Sequence, residues 1–494
     1  MSISLVDTNW RSRNRSHILV FSVFLSASVA ALSETHVINL GAPQGEEGAT
    51  IARIYEVGHY WFDTSIPDCN FAWRSSMGKT PSGEGVLFAT PTTTPTGDID
   101  GDGFDDVVIP GFYHGGEPVT NIDEQPADYP YPYWYLRLYS LKRRAVWIAF
   151  GERDFGRYDQ FLHRDLGATP QTLISFSGTY FTLEDLMSRP FYLFAFRELA
   201  CADMNRDGYD DVVIMGQGIR PVPDPDYLFG CTFVSNIVIV YGGPALRQRS
   251  IDMQNPDDLA RMTIIEFPLH VTGEGYDLAL ADPWFPDPGS LSVGDLDADG
   301  YPDIAIGKAW EEYAGDPPVP GGSTRGAVSI LFGGPFPVGQ VVNLNDAQFA
   351  TRRANIAGLT PYSRYGRLTR IADFNGDGTD DLAVVYRNWE PYEFQGSVSI
   401  IYGDPGLRGL SGLQDQLPFA LAPTLITGFT DPELRSTTGI ESIATGDANG
   451  DGYKDIAIGI PDTFVSSYVP GVSITVFGSP SLPGSNWSLH DAPG

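Results

Sequence analysis

Leu291-Ser-Val-Gly-Asp-Leu-Asp-Ala-Asp-Gly-Tyr-Pro-Asp-Ile-Ala-Ile306 decides how this chain is read. Two short apolar runs flank an acidic loop, Asp295 to Asp303, with oxygen-bearing side chains at positions 1, 3, 5 and 9 and glycine at position 6. Four further loops share that register, beginning at Asp98, Asp203, Asp373 and Asp447. A calcium ion takes roughly six to eight hard oxygen ligands, and a glycine lets the backbone turn sharply enough to wrap it. The expected ligands are Asp98, Asp100, Asp102 and Asp106, then Asp203, Asn205, Asp207 and Asp211, then Asp295, Asp297, Asp299 and Asp303. Asp373, Asn375, Asp377 and Asp381, with Asp447, Asn449, Asp451 and Asp455, complete the set. The backbone carbonyls of position 7 (Phe104, Tyr209, Tyr301, Thr379 and Tyr453) are expected to contribute too, giving Ca2+ at about five sites.

An EF-hand would carry Glu at position 12 and a helix on either side. Here position 12 is Ile109, Ile214, Ile306, Val384 or Ile458, within short β-branched runs bounded by glycine or proline. Such runs read as buried strands, so each loop joins two strands. An Asp- and Gly-rich hairpin turn without metal is the plainer alternative.

The loops begin at 98, 203, 295, 373 and 447, spacings of 105, 92, 78 and 74 residues. A second pattern follows them: Ile237-Val-Ile-Val-Tyr-Gly-Gly-Pro244, Val328-Ser-Ile-Leu-Phe-Gly-Gly-Pro335, Val398-Ser-Ile-Ile-Tyr-Gly-Asp-Pro405 and Val472-Ser-Ile-Thr-Val-Phe-Gly-Ser-Pro480. Each is a strand ending in an aromatic residue and a turn. A looser run such as Thr424-Leu-Ile-Thr-Gly428 closes the repeat. Four antiparallel strands of this length cannot bury both faces alone, so neighbouring units must stack, and ring closure leaves only short edges.

The sequence resembles the FG-GAP repeat, the blade of the integrin alpha-subunit β-propeller and of many secreted bacterial repeat proteins. Tyr365-Gly366 ahead of Asp373 matches the FG element, Gly459-Ile-Pro461 after Asp455 matches GAP, and the acidic loop matches the family's Asp-x-Asp-x-Asp-Gly-x-x-Asp; in the earlier repeats Gly-Phe-Tyr and Gly-Gln-Gly replace GAP. The resemblance implies an all-β propeller of four-stranded antiparallel blades with calcium-binding loops, six- or seven-bladed. Six fits the count better, with residues 34–97 as an N-terminal closing blade around Ile51-Ala-Arg-Ile-Tyr55.

Across 494 residues, 62 acidic side chains face 31 Lys and Arg, for a formal charge of −31. Nucleic acid and anionic membrane should be repelled, so neither is an expected partner. Arg11, Arg13 and Arg15 precede an apolar run from Ile18 to Leu32 with small residues at Ser28-Val-Ala30. That pattern reads as a secretory signal over 1–33, leaving 34–494 as one domain with no membrane insertion after cleavage; an uncleaved anchor is the alternative. The expected location is extracellular, with periplasm and cell surface left open. Of Cys69, Cys201 and Cys231, the pair 201–231 is favoured for a disulfide.

Connections between second and third strands must emerge opposite the acidic loops. They carry Tyr131 and Trp134, Trp310, and Trp389 and Tyr392, while Trp284 precedes the loop at Asp295. Aromatic rings on a loop-built face commonly hold sugars or protein partners, although rings that plug gaps between blades serve equally. No Gly-x-Ser-x-Gly, His-Glu-x-x-His or phosphate-cradling loop occurs. The expectation is a monomeric adhesion or binding module for extracellular carbohydrate or protein, not an enzyme. A polysaccharide lyase or hydrolase on the same scaffold is the alternative.

Overall fold

The computed structural model describes residues 54–56, 95–114, 142–151, 160–162, 171–175, 192–221, 231–247, 249–252, 255–268, 290–309, 325–344, 346–360, 363–390, 393–413, 423–427, 440, 442–460, 463–465, 467–469 and 472–488. The fold is all-β with a propeller arrangement of five blades among the described residues. The first sheet holds β2 (Thr96–Gly97), β3 (Asp106–His114), β4 (Lys142–Ala149) and β6 (Gln171–Ser175), successively antiparallel. The second holds β7 (Tyr192–Ala202), β8 (Asp211–Pro221), β9 (Cys231–Val240) and β11 (Met262–Pro268). In the third, β12 (Leu291–Gly294), β13 (Asp303–Lys308), β14 (Ala327–Leu331) and β16 (Arg353–Ala357) repeat the pattern. The fourth contains β17 (Leu368–Ala372), β18 (Asp381–Glu390), β19 (Glu393–Ile401) and β21 (Thr424–Thr427). In the fifth the described strands are β22 (Ser442–Gly446), β23 (Asp455–Ile460) and β26 (Val472–Val476).

The expectation of six or seven blades is therefore corrected. Residues 34–97 do not supply a further described blade: β2 opens the first sheet, and β1 (Ile54–Glu56) pairs in parallel with β5 (Gln160–Leu162). The long first repeats hold longer strands and connections, as the eleven residues of β7 and of β8 illustrate.

A fifth strand interlocks the sheets. The connection after the third strand of one blade reaches back and pairs in parallel with the fourth strand of the blade before. Thus β10 (Ser250–Asp252) joins β6, β15 (Val341–Asn343) joins β11, and β20 (Ser411–Leu413) joins β16. β27 (Asn486–Ser488) does the same for β21.

Apolar runs rather than alternating ones make these strands because both faces are covered. Val212 and Ile214 of β8 pack in a cluster with Val108, Val146 and Ile148 of the first sheet. Val213 and Met215, pointing the other way, pack with Leu291, Ile304 and Ile306 of the third. The period-two alternation of a strand thereby feeds two cores. Equivalent clusters join the third sheet to the fourth and the fourth to the fifth. Each fully buried Ile or Val contributes about 1.5–3 kcal/mol of transfer free energy.

The family signatures sit at these joints. Tyr365 is fully buried, and a Cβ on Gly307 would lie 1.9 Å from the carbonyl oxygen of Gly366. The Tyr-Gly of blade four thus seats on Gly307, the penultimate residue of β13 in blade three. The expected Cys201–Cys231 bridge does not form, since Cys201 is a free thiol. Cys201 lies opposite Val212 at the loop end of β8, whereas Cys231 lies opposite Pro221 at its far end.

Candidate functional site: the five acidic loops

Each acidic loop joins the first and second strands of its sheet, as the spacing predicts. Position 4 is left-handed in every loop: Gly101, Arg206, Ala298, Gly376 and Gly450 have φ between 58° and 78°. Position 6 is glycine with φ of 83° to 92°. The position-1 carboxylate accepts the N–H of that glycine, from Gly103 to Asp98 at 2.9 Å through Gly452 to Asp447 at 3.0 Å.

The position-9 Asp is the structural centre. Asp106, Asp211, Asp303 and Asp381 are fully buried and Asp455 nearly so. One oxygen accepts the N–H of position 2, as in Ile99 to Asp106 at 2.9 Å and Phe374 to Asp381 at 3.0 Å. The other accepts the N–H of the glycine that follows the third strand: Gly151, Gly242, Gly333, Gly403 or Gly478, at 2.6–3.0 Å. A Cβ on any of these glycines would fall 2.2–2.4 Å from the backbone oxygen of position 8. This explains why the glycine of each aromatic-Gly pair recurs behind every acidic loop. Burial pushes the carboxyls of Asp106, Asp211, Asp303 and Asp381 up to about 7, the backbone N–H bonds holding them back in part.

The loops also touch one another. The N–H of Asp210 donates to the carbonyl of Asp98 and that of Asp380 to Asp295, each at 3.0 Å, with Lys454 to Asp373 at 3.2 Å. In return the Asp210 and Asp380 carboxylates accept the N–H of Asp98 and Asp295 at 2.9 Å. The position-7 rings stack on the preceding loop, with Tyr209 against Gly101 and Tyr453 against Gly376. Arg206 lies 5.0 Å from the Tyr301 ring. Phe104, in the first loop, is 42 % exposed.

Two loops gather three carboxylates each within 4.8 Å: Asp98, Asp100 and Asp106, and Asp295, Asp297 and Asp303. In those loops Asp98 Oδ1 and Asp297 Oδ1 are buried with no hydrogen-bond partner. A buried anionic oxygen without a donor is costly, and a cation at that point removes the cost. The donor set is all oxygen, so the residues present fit a hard divalent ion. Asp102 and Asp299 at position 5 stand apart from the triads; Arg247 pairs with both Asp100 and Asp102, and Arg408 with both Asp297 and Asp299. The other three loops bear Asn205, Asn375 and Asn449 at position 3, each donating to the position-5 carboxylate at 2.8–2.9 Å.

Sequence reasoning missed both arginines and the position-8 acids. The signal was present: Arg247 and Arg408 each stand three residues beyond the proline of the turn after the third strand. Of the expected aromatic face, Tyr131, Trp134, Trp284, Trp310 and Tyr392 lie outside the described residues. Trp389 lies near the end of β18, paired with Phe394. The proposed signal at 1–33 is likewise outside them.

Residues 288–331 match the family model of the FG-GAP repeat, consistent with an FG-GAP repeat protein. They span the first three strands of the third sheet and its acidic loop. No curated protein matches the chain. A propeller of such repeats is in general a scaffold for binding ligands.

Proposed function

We propose that this protein is a calcium-stabilised FG-GAP β-propeller, exported from the cell, that binds extracellular carbohydrate or protein without turning it over. The observation that carries the calcium reading is the pair of orphaned buried oxygens, Asp98 Oδ1 and Asp297 Oδ1, each in a loop with a carboxylate triad. Positions 1, 3, 5 and 9 of the five loops would hold the ions, joined by the position-7 carbonyls. Calcium would supply charge neutralisation, not chemistry. Extracellular fluid suits weak sites of roughly 10⁻⁴–10⁻³ M.

The ligand reading rests on the aromatic residues of the opposite connections. A glycan array with a reducing-sugar assay tests it: binding without new chain ends supports a module, and new chain ends overturn that in favour of an enzyme. Calcium itself is tested by elemental analysis of natively purified protein, and a metal-free result would overturn that part.

The same reading takes β1 as the missing fourth strand of the fifth sheet. β5 lies in the connection after the third strand of blade one, and it pairs in parallel with β1 as β10 does with β6. Amide exchange along β26 should then be slow in the full chain and fast once residues 34–60 are removed. Fast exchange in both would count against it.

A further inference from the structure

In all five loops one oxygen of the position-5 carboxylate is capped by a side-chain N–H, and the donor comes from one of two places. In loops two, four and five it is the amide of the position-3 Asn, two residues away: Asn205 to Asp207 at 2.9 Å, Asn375 to Asp377 at 2.9 Å and Asn449 to Asp451 at 2.8 Å. In loops one and three position 3 is Asp, which has no proton to give. The donor there is an arginine of the next blade. Arg247 of blade two bonds Asp100 through Nε and Asp102 through a terminal nitrogen. Arg408 of blade four does the same to Asp297 and Asp299.

Each guanidinium lies over the aromatic that ends the third strand of the blade it grips. Arg247 is 5.4 Å from the Phe150 ring and Arg408 is 5.1 Å from the Phe332 ring. At the equivalent positions facing loops two and four the chain has Val338 and Pro483. Asp at position 3 thus goes with Arg in the following blade in loops one and three, and Asn at position 3 goes without it in loops two and four. The charge consequence is the same in each loop. Counted at positions 1, 3, 5 and 9 alone, four carboxylates and one guanidinium give −3 in loops one and three, and three carboxylates give −3 in the others.

The arginines leave the inner oxygens free. In loop three Arg408 engages Oδ2 of Asp297, while Oδ1 of the same residue is buried and unpartnered. In loop one the orphan is Asp98 Oδ1, beside the pair that Arg247 holds. We propose that Arg247 and Arg408 split the five loops into two cation-binding classes. In loops one and three the guanidinium of the next blade is a resident counter-cation with which calcium shares the carboxylates, and loops two, four and five take the ion unaided. This rests on the calcium reading above. It makes Arg247 and Arg408 positioning residues: they hold the acidic loop in shape when no ion is present, weaken the affinity when one is, and tie loop to neighbouring blade in either state.

The test uses the full chain with Arg408→Met and Arg247→Met, singly and together, and with Asp297→Asn added to Arg408→Met. Calcium binding is read by titration calorimetry, and melting in chelator and in calcium. In chelator each Arg→Met variant should melt several degrees below the wild type, because four carboxylates then face one another uncompensated. In calcium that gap should narrow, and affinity at the affected loop should rise roughly tenfold, the effect of removing one positive charge about 6 Å from a divalent ion in water. Asp297→Asn with Arg408→Met should recover the melting temperature in chelator, since the amide can cap Asp299 as Asn375 caps Asp377. Equal melting losses with and without calcium, or an unchanged or reduced affinity, would overturn the two-class assignment while leaving calcium binding intact. A wild-type protein that takes up no calcium would overturn both readings.

Discussion

Blades one and three are built to one plan and blades two and four to another. The residue before the acidic loop is Gly97 and Gly294 in the first pair, Ala202 and Ala372 in the second. Position 3 is Asp100 and Asp297 against Asn205 and Asn375, and the third strand ends in Phe150 and Phe332 against Tyr241 and Tyr402. Those tyrosines bond the fourth strand of their own sheet, at 2.9 Å to Thr263 and 2.8 Å to Thr424, whereas the phenylalanines receive an arginine from the next blade. The position-8 acids Asp210 and Asp380, which clasp the preceding loop, belong only to the even blades among these joints; loop three has Pro302 there, which lacks an N–H to donate. Two joints, one to two and three to four, therefore share a polar clasp that the joint between two and three does not have. The working unit is a pair of blades.

Removing cations should disturb both plans, and most of all the whole. At ten times the dissociation constant, linkage gives about 1.4 kcal/mol per ion, or roughly 7 kcal/mol for five independent sites. That is comparable to the net stability of a typical domain, so chelation should lower the melting temperature by many degrees. An unchanged melting curve would break the calcium reading for both blade types.

The calcium increment should also depend on pH. Unfolded aspartates titrate near 3.8, whereas Asp106, Asp211, Asp303 and Asp381 are pushed up to about 7 by burial. A raised carboxyl binds its proton more tightly folded than unfolded, so these groups favour folding at low pH. That contribution is lost as pH rises from 3.8 towards 7. In chelator their contribution thus makes the protein firmer at pH 5 than at pH 7.5. Calcium needs the ionised form, so the gap between melting temperatures with and without calcium should shrink from pH 7.5 to pH 5. A gap independent of pH would show that the buried carboxylates stay charged in the ion-free fold.

Next in size comes Asp381→Ala. It strands the N–H groups of Phe374 and Gly403, and each buried unsatisfied donor costs about 1–3 kcal/mol. Asp303→Ala should cost as much, since Leu296 and Gly333 are served identically. Denaturant unfolding measures both; clearly unequal losses would mean that the two-plan difference extends to the centre of the loop.

The loops, the strands beside them and the aromatic-Gly turns were legible in the sequence because each is a local pattern with a local cause. The number of blades was not. Residues 34–97 read as a closing blade around Ile51-Ala-Arg-Ile-Tyr55; their described strands are β2, which opens the first sheet, and β1, whose partner β5 stands more than 100 residues away, beyond any local window. Nor was the division of labour between loops. Arg247 is 147 residues from Asp100 and Arg408 is 111 from Asp297, so nothing in a local window joins them. The disulfide reading failed for a similar reason: two cysteines in one sheet are near only if the register brings them opposite, and here each faces another residue.

The smallest effect separates the two plans most cleanly. A Cβ on Gly294 would lie 2.2 Å from Ile371 Cγ2 and 2.7 Å from Asp380 Oδ2, and one on Gly97 would lie 2.6 Å from Asp210 Oδ2. Those glycines make room for the neighbour's clasping acid, so Gly294→Ala should cost about 1–3 kcal/mol through overpacking. The converse change in an even blade, Ala372→Gly, removes no clasp and should cost only about 0.5–1 kcal/mol from added backbone freedom. Combining Gly294→Ala with Asp380→Ala should cost less than the sum of the two single changes, because the methyl then moves into the space the acid left. Additive losses in that double-mutant cycle would mean that the glycine answers to Ile371 rather than to the clasp, and the paired-blade unit would lose its steric support.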